Sequence, residues 1–315
     1  LKIRQMQAAI ADAPAEMHPV MNAILARWMW QFFQQHQWQF MQRTAVADNA
    51  TQNAGEDSPE SLGTDDSDML TWDLRRILKA IDQQFTKSLA DAEKLQAIPV
   101  DAYKQLLQEG NVPQEYRPTL YDILVHHALD FYSVDVQAGS RAAFAFELKA
   151  DSPIFASQTD FLQWNPESEE ERPPLLVAIR LYQDLLRFHQ EDDNPAARLD
   201  VDLLRLKFGH QHATGEEADE RYAAALSRFE SANASHPISS LALFELASLR
   251  HADGDFQEAH RLANQGLARF PESIGATRCF NLIQQIESRE ATASTERVWN
   301  APWPTIDVRY RNLDK

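Results

Sequence analysis

The chain has 315 residues, 44% of them hydrophobic, and its 30 basic and 47 acidic side chains give a formal charge of −17. The hydrophobic fraction is enough for sizeable cores, whereas the negative charge would repel a phosphate backbone across most of the surface. We therefore expect a folded protein that has no nucleic acid partner.

The sequence offers no segment long and apolar enough to cross a membrane. The most apolar stretch, 23–33, is interrupted by Arg27 and Gln31, well short of the roughly 18 apolar residues that a span needs. The single cysteine, Cys279, excludes an internal disulfide and leaves the cellular compartment open. Because the chain begins with neither methionine nor a signal-peptide pattern, we expect it to be a piece of a longer protein.

Helices dominate the prediction, because only nine glycines occur and apolar residues recur with a spacing near 3.6. Residues 17–43 predict a long helix whose aromatic side chains belong to a core. Residues 71–85 predict an amphipathic helix with a one-sided apolar stripe. The segment between them, 45–68, is rich in Asp, Asn, Ser and Gly and is predicted to be a flexible loop.

The middle of the chain predicts less regular structure. Pro99 opens a predicted helix that ends at Gly110, and residues 120–132 form another. The helical periodicity is lost over 133–172, where short extended stretches lead to a charged, proline-ended linker. We place a soft domain boundary there, which makes 1–165 an N-terminal helical region.

The second half of the chain repeats itself with a period of 34 residues. Ala225, Phe229 and Pro237 recur as Ala259, Ala263 and Pro271. With a Gly-Asp turn at 254–255, this pattern resembles one tetratricopeptide unit. We interpret 166–290 as tetratricopeptide-like repeats, with about six antiparallel helices over 174–288. An ordinary helical hairpin is the alternative interpretation.

Three local features of these helices are predicted. Ala259 is expected at the helix crossing, where a larger side chain would overpack the interface. Asp255 is expected to cap the second helix of the unit, with Glu258 as its reciprocal partner. Asn194, followed by Pro195, is expected to cap an earlier helix.

The last segment, 291–315, has a different character. Pro302 and Pro304 are followed by the alternating apolar residues Ile306, Val308 and Tyr310, which predicts a linker and a short lone β-strand. Because a lone strand leaves its backbone groups unpaired, we expect it to lie over the helices through nearby tryptophans or to pair with a neighbouring molecule. Those tryptophans are Trp299 and Trp303.

Several segments together resemble the N-terminal region of bacterial α2-macroglobulin-like proteins. The segments that carry the resemblance are 70–89, 117–132, 174–190, 193–206, the tetratricopeptide-like pair and, most tellingly, 299–315. The resemblance implies a helical region ahead of a row of β-sandwich domains, with 291–315 supplying the linker and the first strand of the next domain.

The resemblance also implies function and location. Such proteins trap proteases in the bacterial periplasm or cell envelope, so the implied partners are the following macroglobulin domains, proteases or envelope proteins. The thioester and the protease-sensitive bait segment of the family belong further along its chains. Cys279 lacks the glutamate and glutamine of the thioester pattern, and we assign it no such role.

Two histidine pairs are the strongest candidates for chemistry. His210 and His212 precede Glu216 and Glu217 and could bind a transition metal, although a solvated helix end is the reading we favour. The adjacent residues 126 and 127, both histidines, point about 100° apart on a helix, so one imidazole should pack while the other faces a polar group.

Two acidic runs carry weaker signals. Asp65, Asp66 and Asp68 could attract calcium, but the run lacks the glycine and the final glutamate of an EF-hand. Residues 169–171 are three glutamates without the apolar surroundings that would raise a carboxyl pKa for acid catalysis. We favour a solvated loop and a charged linker, and we predict no catalytic, cofactor-binding or metal-binding residue.

The sequence therefore predicts a non-catalytic protein. The first hypothesis is a helical scaffold or interaction module in the N-terminal part of a macroglobulin-like protease trap. The alternative is a freestanding tetratricopeptide adaptor that binds a peptide or protein. An α-helical hydrolase using His126 or His127 is a third possibility, but no nucleophile or metal set accompanies these residues.

Overall fold

A computed structural model describes residues 2–53, 69, 72–107, 110–134, 146–169, 172–295 and 306–312, without the side chains of 43–53, 290, 310 and 311. These residues form twelve α-helices and one two-stranded sheet. The helices are α1 (Lys2–Asp12), α2 (His18–Asn53), α3 (Leu74–Ser88), α4 (Ala92–Gln96), α5 (Leu120–Tyr132), α6 (Gln158–Gln163), α7 (Pro174–Phe188), α8 (Ala196–His212), α9 (Ala218–Ala232), α10 (Ile238–Ala252), α11 (Phe256–Arg269) and α12 (Ile274–Glu287). The predicted all-α fold is confirmed.

The chain divides into two compact units. The first contains Leu1–Leu148 and Gln158–Phe208, and the second contains Lys149–Ser157 and Gly209–Lys315. The division passes through α8. Asn194 accepts a hydrogen bond from the backbone N–H of Ala196 at 3.0 Å, so its predicted role at the start of α8 is confirmed.

An aromatic core joins α2, α3 and α5 in the first unit. Trp30 stacks on Phe33 with 5.3 Å between ring centroids and meets Phe131 edge-on at 5.2 Å, and Phe131 in turn stacks on Phe85 at 5.6 Å. The amphipathic stripe of α3 faces this core, since Ile81 is fully buried. Burial of such large rings favours the packing of the three helices.

Two predictions about α2 are wrong. The helix continues to Asn53, so the first nine residues of the predicted loop 45–68 are helical; three alanines at 45, 47 and 50 favour that continuation. The rest of that segment, 54–68, lies outside the described residues. Trp38 is 71% exposed rather than part of the core, and it follows a kink in α2 at His36, where the backbone leaves the helical conformation with a φ of −120°.

The predicted helix from Pro99 to Gly110 is a short 3₁₀ turn, Val100–Tyr103, followed by further turns. The segment is held by the chain that leads into α5: Val100 N–H donates to the Pro118 carbonyl at 2.9 Å, and Leu120 N–H donates to the Ile98 carbonyl at 2.9 Å. These hydrogen bonds fix an extended pairing at Pro99 that competes with a longer helix. The extended stretches predicted around 136 and 144 lie outside the described residues.

The second unit stacks its helices in chain order. Helix α9 contacts α10, and α10, α11 and α12 all contact one another. The six helices predicted within 174–288 are present as α7 to α12, and no strand interrupts that span; α7 and most of α8 belong to the first unit, and α9 to α12 belong to the second. Ala259 is completely buried, as the predicted register requires.

The strand predicted near the C-terminus is present but is not alone. Strand β2 (Ile306–Arg311) pairs antiparallel with β1 (Glu290–Thr295), in a register that runs from Glu290 opposite Arg311 to Thr295 opposite Ile306. Residues 291–295, which the sequence predicts as linker, instead belong to β1. An unpaired strand leaves a row of backbone donors and acceptors open, and the backbone of 290–295 satisfies one edge of it.

Candidate functional site: the repeat helices and the hairpin

The repeat unit α10–α11 is built around small residues at its helix crossings. Ala259 and Ala263 of α11 are completely buried. Gly266 lies so close to α12 that a Cβ atom there would fall 2.6 Å from the Cys279 sulfur, and a Cβ at Gly275 would fall 2.4 Å from the Leu241 backbone nitrogen. The three helices therefore approach to a distance that only glycine allows at these positions.

The turn between α10 and α11 has the predicted N-cap. Gly254 adopts a φ of +81°, a conformation that favours glycine. Asp255 accepts a hydrogen bond from the backbone N–H of Glu258 at 3.1 Å. The reciprocal half of the predicted capping box is absent, because the Glu258 carboxylate accepts two hydrogen bonds of 2.7 Å from Arg261 instead.

Cys279 is a packing residue of this unit. It is completely buried, and its thiol donates to the Ser240 carbonyl at 3.6 Å. Burial raises the pKa of the Cys279 thiol to about 12. The thiolate needed for nucleophilic chemistry is therefore scarce at neutral pH.

The hairpin β1–β2 has one apolar and one polar face. Residues directly opposite each other share a face, so Ala293 lies beside Val308 and Thr295 beside Ile306. The intervening residues, which include Arg309, point to the other face. Ile306 and Val308 are 60% and 61% exposed, so the apolar face is open to solvent.

Asn312 ties the end of the hairpin to α12. Its side-chain amide donates to the carbonyls of Ile286 at 2.7 Å and Ser288 at 3.1 Å, at the last turn of the helix. Asn312 has a φ of +55°, a region in which asparagine is tolerated better than most residues. The polypeptide thus turns sharply after β2. Trp299 and Trp303, expected to contact the helices, lie outside the described residues.

The structure does not bring the predicted metal-ligand candidates together. His210 Nε2 contacts an Asp219 carboxylate oxygen at 2.8 Å and its ring stacks on Tyr222 at 4.3 Å. Glu217 accepts from Arg221 at 2.7 Å, and His212 lies in the last turn of α8. Across the described ranges, no group of three or more His, Cys, Asp or Glu side chains is placed to hold a metal ion.

The second histidine pair behaves as its helical spacing predicted. His126 is buried, and burial, reinforced by the nearby positive charge of Arg117, holds its pKa well below the usual range. His127 Nε2 lies 2.9 Å from a guanidinium nitrogen of Arg27. A guanidinium only donates, so this ring nitrogen accepts and the imidazole is neutral. Burial and the Arg27 charge lower the pKa of His127 to about 4.

The acidic candidates add nothing to a site. Asp65, Asp66 and Asp68 lie outside the described residues, as do residues 170 and 171. Glu169 is exposed.

None of the described helices combines the length and apolar character needed to cross a bilayer.

Searches against family models, curated proteins and solved structures found no significant match to this chain. The functional assignment therefore rests on the residues themselves.

The sequence patterns did not indicate one buried titratable group, His189. It is 1% exposed and lies between two carboxylates, Asp122 and Asp192, each with an oxygen 2.7 Å from one ring nitrogen. The sequence could have indicated the position of Asp122, because Thr119 and Asp122 have the three-residue spacing of a capping box. The 67-residue separation between Asp122 and His189 left no local trace of their contact.

Proposed function

We propose that the chain is a non-catalytic helical scaffold or interaction module in the N-terminal part of a bacterial macroglobulin-like protease-trapping protein of the cell envelope. The observation that supports this most is the open apolar face of the hairpin, with Ile306 and Val308 about three-fifths exposed. The neighbouring β-sandwich domains of the resemblance would supply the surface that covers it.

Physical chemistry favours a partner for this face. A two-stranded hairpin is at best marginally stable in water, and strands that carry one apolar face gain stability when a second layer covers it. The opposite face carries Thr292, Ser294, Asp307 and Arg309, which suit contact with solvent. The hairpin therefore resembles part of a β-sandwich, in which a second sheet covers the apolar face.

The helical part supports a scaffold role. The close contacts among α10, α11 and α12 are made by alanine, glycine, the buried Cys279 thiol and the buried Ser240, whose hydroxyl donates to the Gly266 carbonyl. His126 is buried and neutral, and His127 accepts a hydrogen bond from Arg27. These features suit a rigid support for other domains or partners.

Photo-crosslinking in the natural host tests the proposal. A photoreactive phenylalanine analogue would replace Val308 on the apolar face and, as a matched control one residue away, Arg309 on the polar face. We expect crosslinks from position 308 to another segment of the same polypeptide and none from position 309. Equal yields at the two positions, or no crosslink from 308, would contradict the proposed docking.

The alternative function, a freestanding adaptor, draws on the tetratricopeptide-like unit. Phe280 of α12 is 49% exposed and Phe256 of α11 is 44% exposed, so the helices also offer apolar groups to a partner. The same photoreactive analogue at Phe280 separates the hypotheses. Crosslinks to a separate polypeptide from position 280, with none within the chain from 308, would favour the adaptor.

A further inference from the structure

His189 is held at the start of the turn that joins α7 and α8, residues 189–195. Its Nε2 lies 2.7 Å from Asp122 Oδ1 in the first turn of α5, and its Nδ1 lies 2.7 Å from Asp192 Oδ2 in the turn itself. One imidazole thus connects two helices and a surface turn through both of its nitrogens.

The geometry defines the charge of the ring. Ionised carboxylates only accept hydrogen bonds, so both nitrogens of His189 must carry a proton, which makes the ring an imidazolium. Burial alone would lower the pKa of His189, but the hydrogen bonds and charges of Asp122 and Asp192 outweigh it, and the pKa lies above the ordinary value of 6.5. Charge-assisted bonds of this length are the stronger kind.

The groups that face His189 are few. Asp122 and His126 approach from α5, Asp192 approaches from the turn, and the Phe188 ring of α7 lies 4.4 Å away, centroid to centroid. His126 is neutral because its own pKa is depressed, so it adds no repelling charge to the imidazolium.

The two carboxylates differ in what they would do if His189 became neutral. Asp122 is fully buried, and its second oxygen accepts from the backbone N–H and the hydroxyl of Thr119 at 2.9 and 2.8 Å. The Asp192 side chain is 38% exposed and can turn to water. A neutral imidazole has only one N–H donor. That donor should stay with Asp122, because loss of the hydrogen bond would leave a buried carboxylate that water cannot solvate.

We propose that His189 is a pH-dependent latch that holds the α7–α8 turn closed while it is protonated and releases Asp192 when it loses its proton. The released proton goes to solvent, His189 keeps its hydrogen bond to Asp122, and residues 190–194 become mobile. The latch is closed at and below pH 6.5 and opens as the pH rises through the elevated pKa of His189, because a raised histidine pKa contributes stability that is lost on deprotonation.

The test is a pH titration of the full chain by NMR, which follows the His189 ring signals and the backbone dynamics of 190–194 in the same samples. We expect the ring to titrate with a midpoint above 6.5 and the turn to become mobile with the same midpoint. A ring midpoint at or below 6.5, or turn dynamics that do not change with that midpoint, would overturn the latch.

Two variants give the matched comparison. Asp192→Ala removes the carboxylate that the latch releases and leaves no side-chain acceptor for Nδ1, so the His189 midpoint should fall and the turn should be mobile at pH 6 as it is at high pH in the unmodified chain. Asp193→Ala, at an exposed neighbour in the same turn, should leave both observables unchanged. Equal effects of the two substitutions would mean that general charge in the turn, rather than the His189 contact, controls it.

Discussion

Single glycines and alanines set how closely the helices of the second unit approach. Gly275, in the first turn of α12, lies against the backbone of α10, and Ala259 of α11 is completely buried. A close helix approach brings many backbone and side-chain atoms into van der Waals contact, and each atom contributes little alone. The interface is therefore sensitive to one added methyl group.

Gly275→Ala tests the tightest of these contacts. The new Cβ would lie 2.4 Å from the Leu241 nitrogen, and because the obstacle is backbone, a side-chain rotation cannot relieve it. We expect the free energy of unfolding to fall by about 1–3 kcal/mol. Gly110→Ala is the control, since a Cβ there meets no atom within 4 Å and should change that free energy by less than about 0.5 kcal/mol. Equal urea midpoints for the two variants would refute the close approach.

Ala259→Leu tests the predicted repeat register. The residue has no exposed surface, so the larger side chain should lower the free energy of unfolding by about 1–3 kcal/mol. Ala268→Leu places the same side chain on an exposed position of the same helix and should have little effect. A denaturation midpoint that Ala259→Leu leaves unchanged would show that the register is wrong.

His127 makes the first unit sensitive to acid. Its pKa is lowered to about 4 in the folded chain, against about 6.5 in an unfolded one. Protonation therefore favours the unfolded state, and the contribution of His127 to stability is present above pH 6.5 and lost as the pH falls towards 4. His127→Gln keeps an acceptor for Arg27 but cannot ionise, so the free energy of unfolding should fall less between pH 6.5 and 4. A His127 ring that titrates near 6.5 by NMR would contradict this.

At the scale of elements, the hairpin depends on its connection to α12. Asn312 makes that connection through two hydrogen bonds to the end of the helix, and its positive φ turns the chain after β2. The two strands alone are too small to be stable, so the connection and whatever covers the apolar face both contribute to their order.

Substitution of Asn312 separates the hydrogen bonds from the backbone conformation. Asn312→Gly removes the side-chain amide but accepts the positive φ, whereas Asn312→Ala removes the amide and also strains the backbone by about 1 kcal/mol. We expect faster amide hydrogen exchange in β1 and β2 for both variants, and faster exchange for Ala than for Gly. Unchanged exchange in both would show that Asn312 does not hold the hairpin.

The sequence predicted elements well where the apolar pattern is strong, as for α3 and α9 to α12, because a one-sided stripe at helical spacing has one good way to be buried. It failed where distant partners decide the outcome. The pairing of β1 with β2 and the extended segment at Pro99 depend on hydrogen bonds to remote backbone, and the contact between His189 and Asp122 joins residues far apart in the chain. Local periodicity carries no information about such contacts.

At the scale of the whole molecule, the chain consists of two helical units, the second of which ends in a hairpin with one exposed apolar face. Exposed apolar surface that is flanked by polar residues commonly marks a contact surface. The proposed module uses its helices as support and its hairpin as the contact with a neighbouring β-domain.

Thiol labelling of the hairpin tests this proposal most directly. The native Cys279 is buried and its thiol pKa is raised to about 12, so it should react slowly and leave introduced cysteines as the readout. The maleimide labelling rates of Val308→Cys and Arg309→Cys would be compared in the 315-residue chain and in the protein that its natural reading frame encodes. We predict fast labelling of both variants in the 315-residue chain. In the naturally encoded protein, labelling at position 308 should be at least tenfold slower than in the 315-residue chain, and labelling at position 309 should be unchanged. Equal rates at position 308 in the two proteins would contradict the docking of the hairpin.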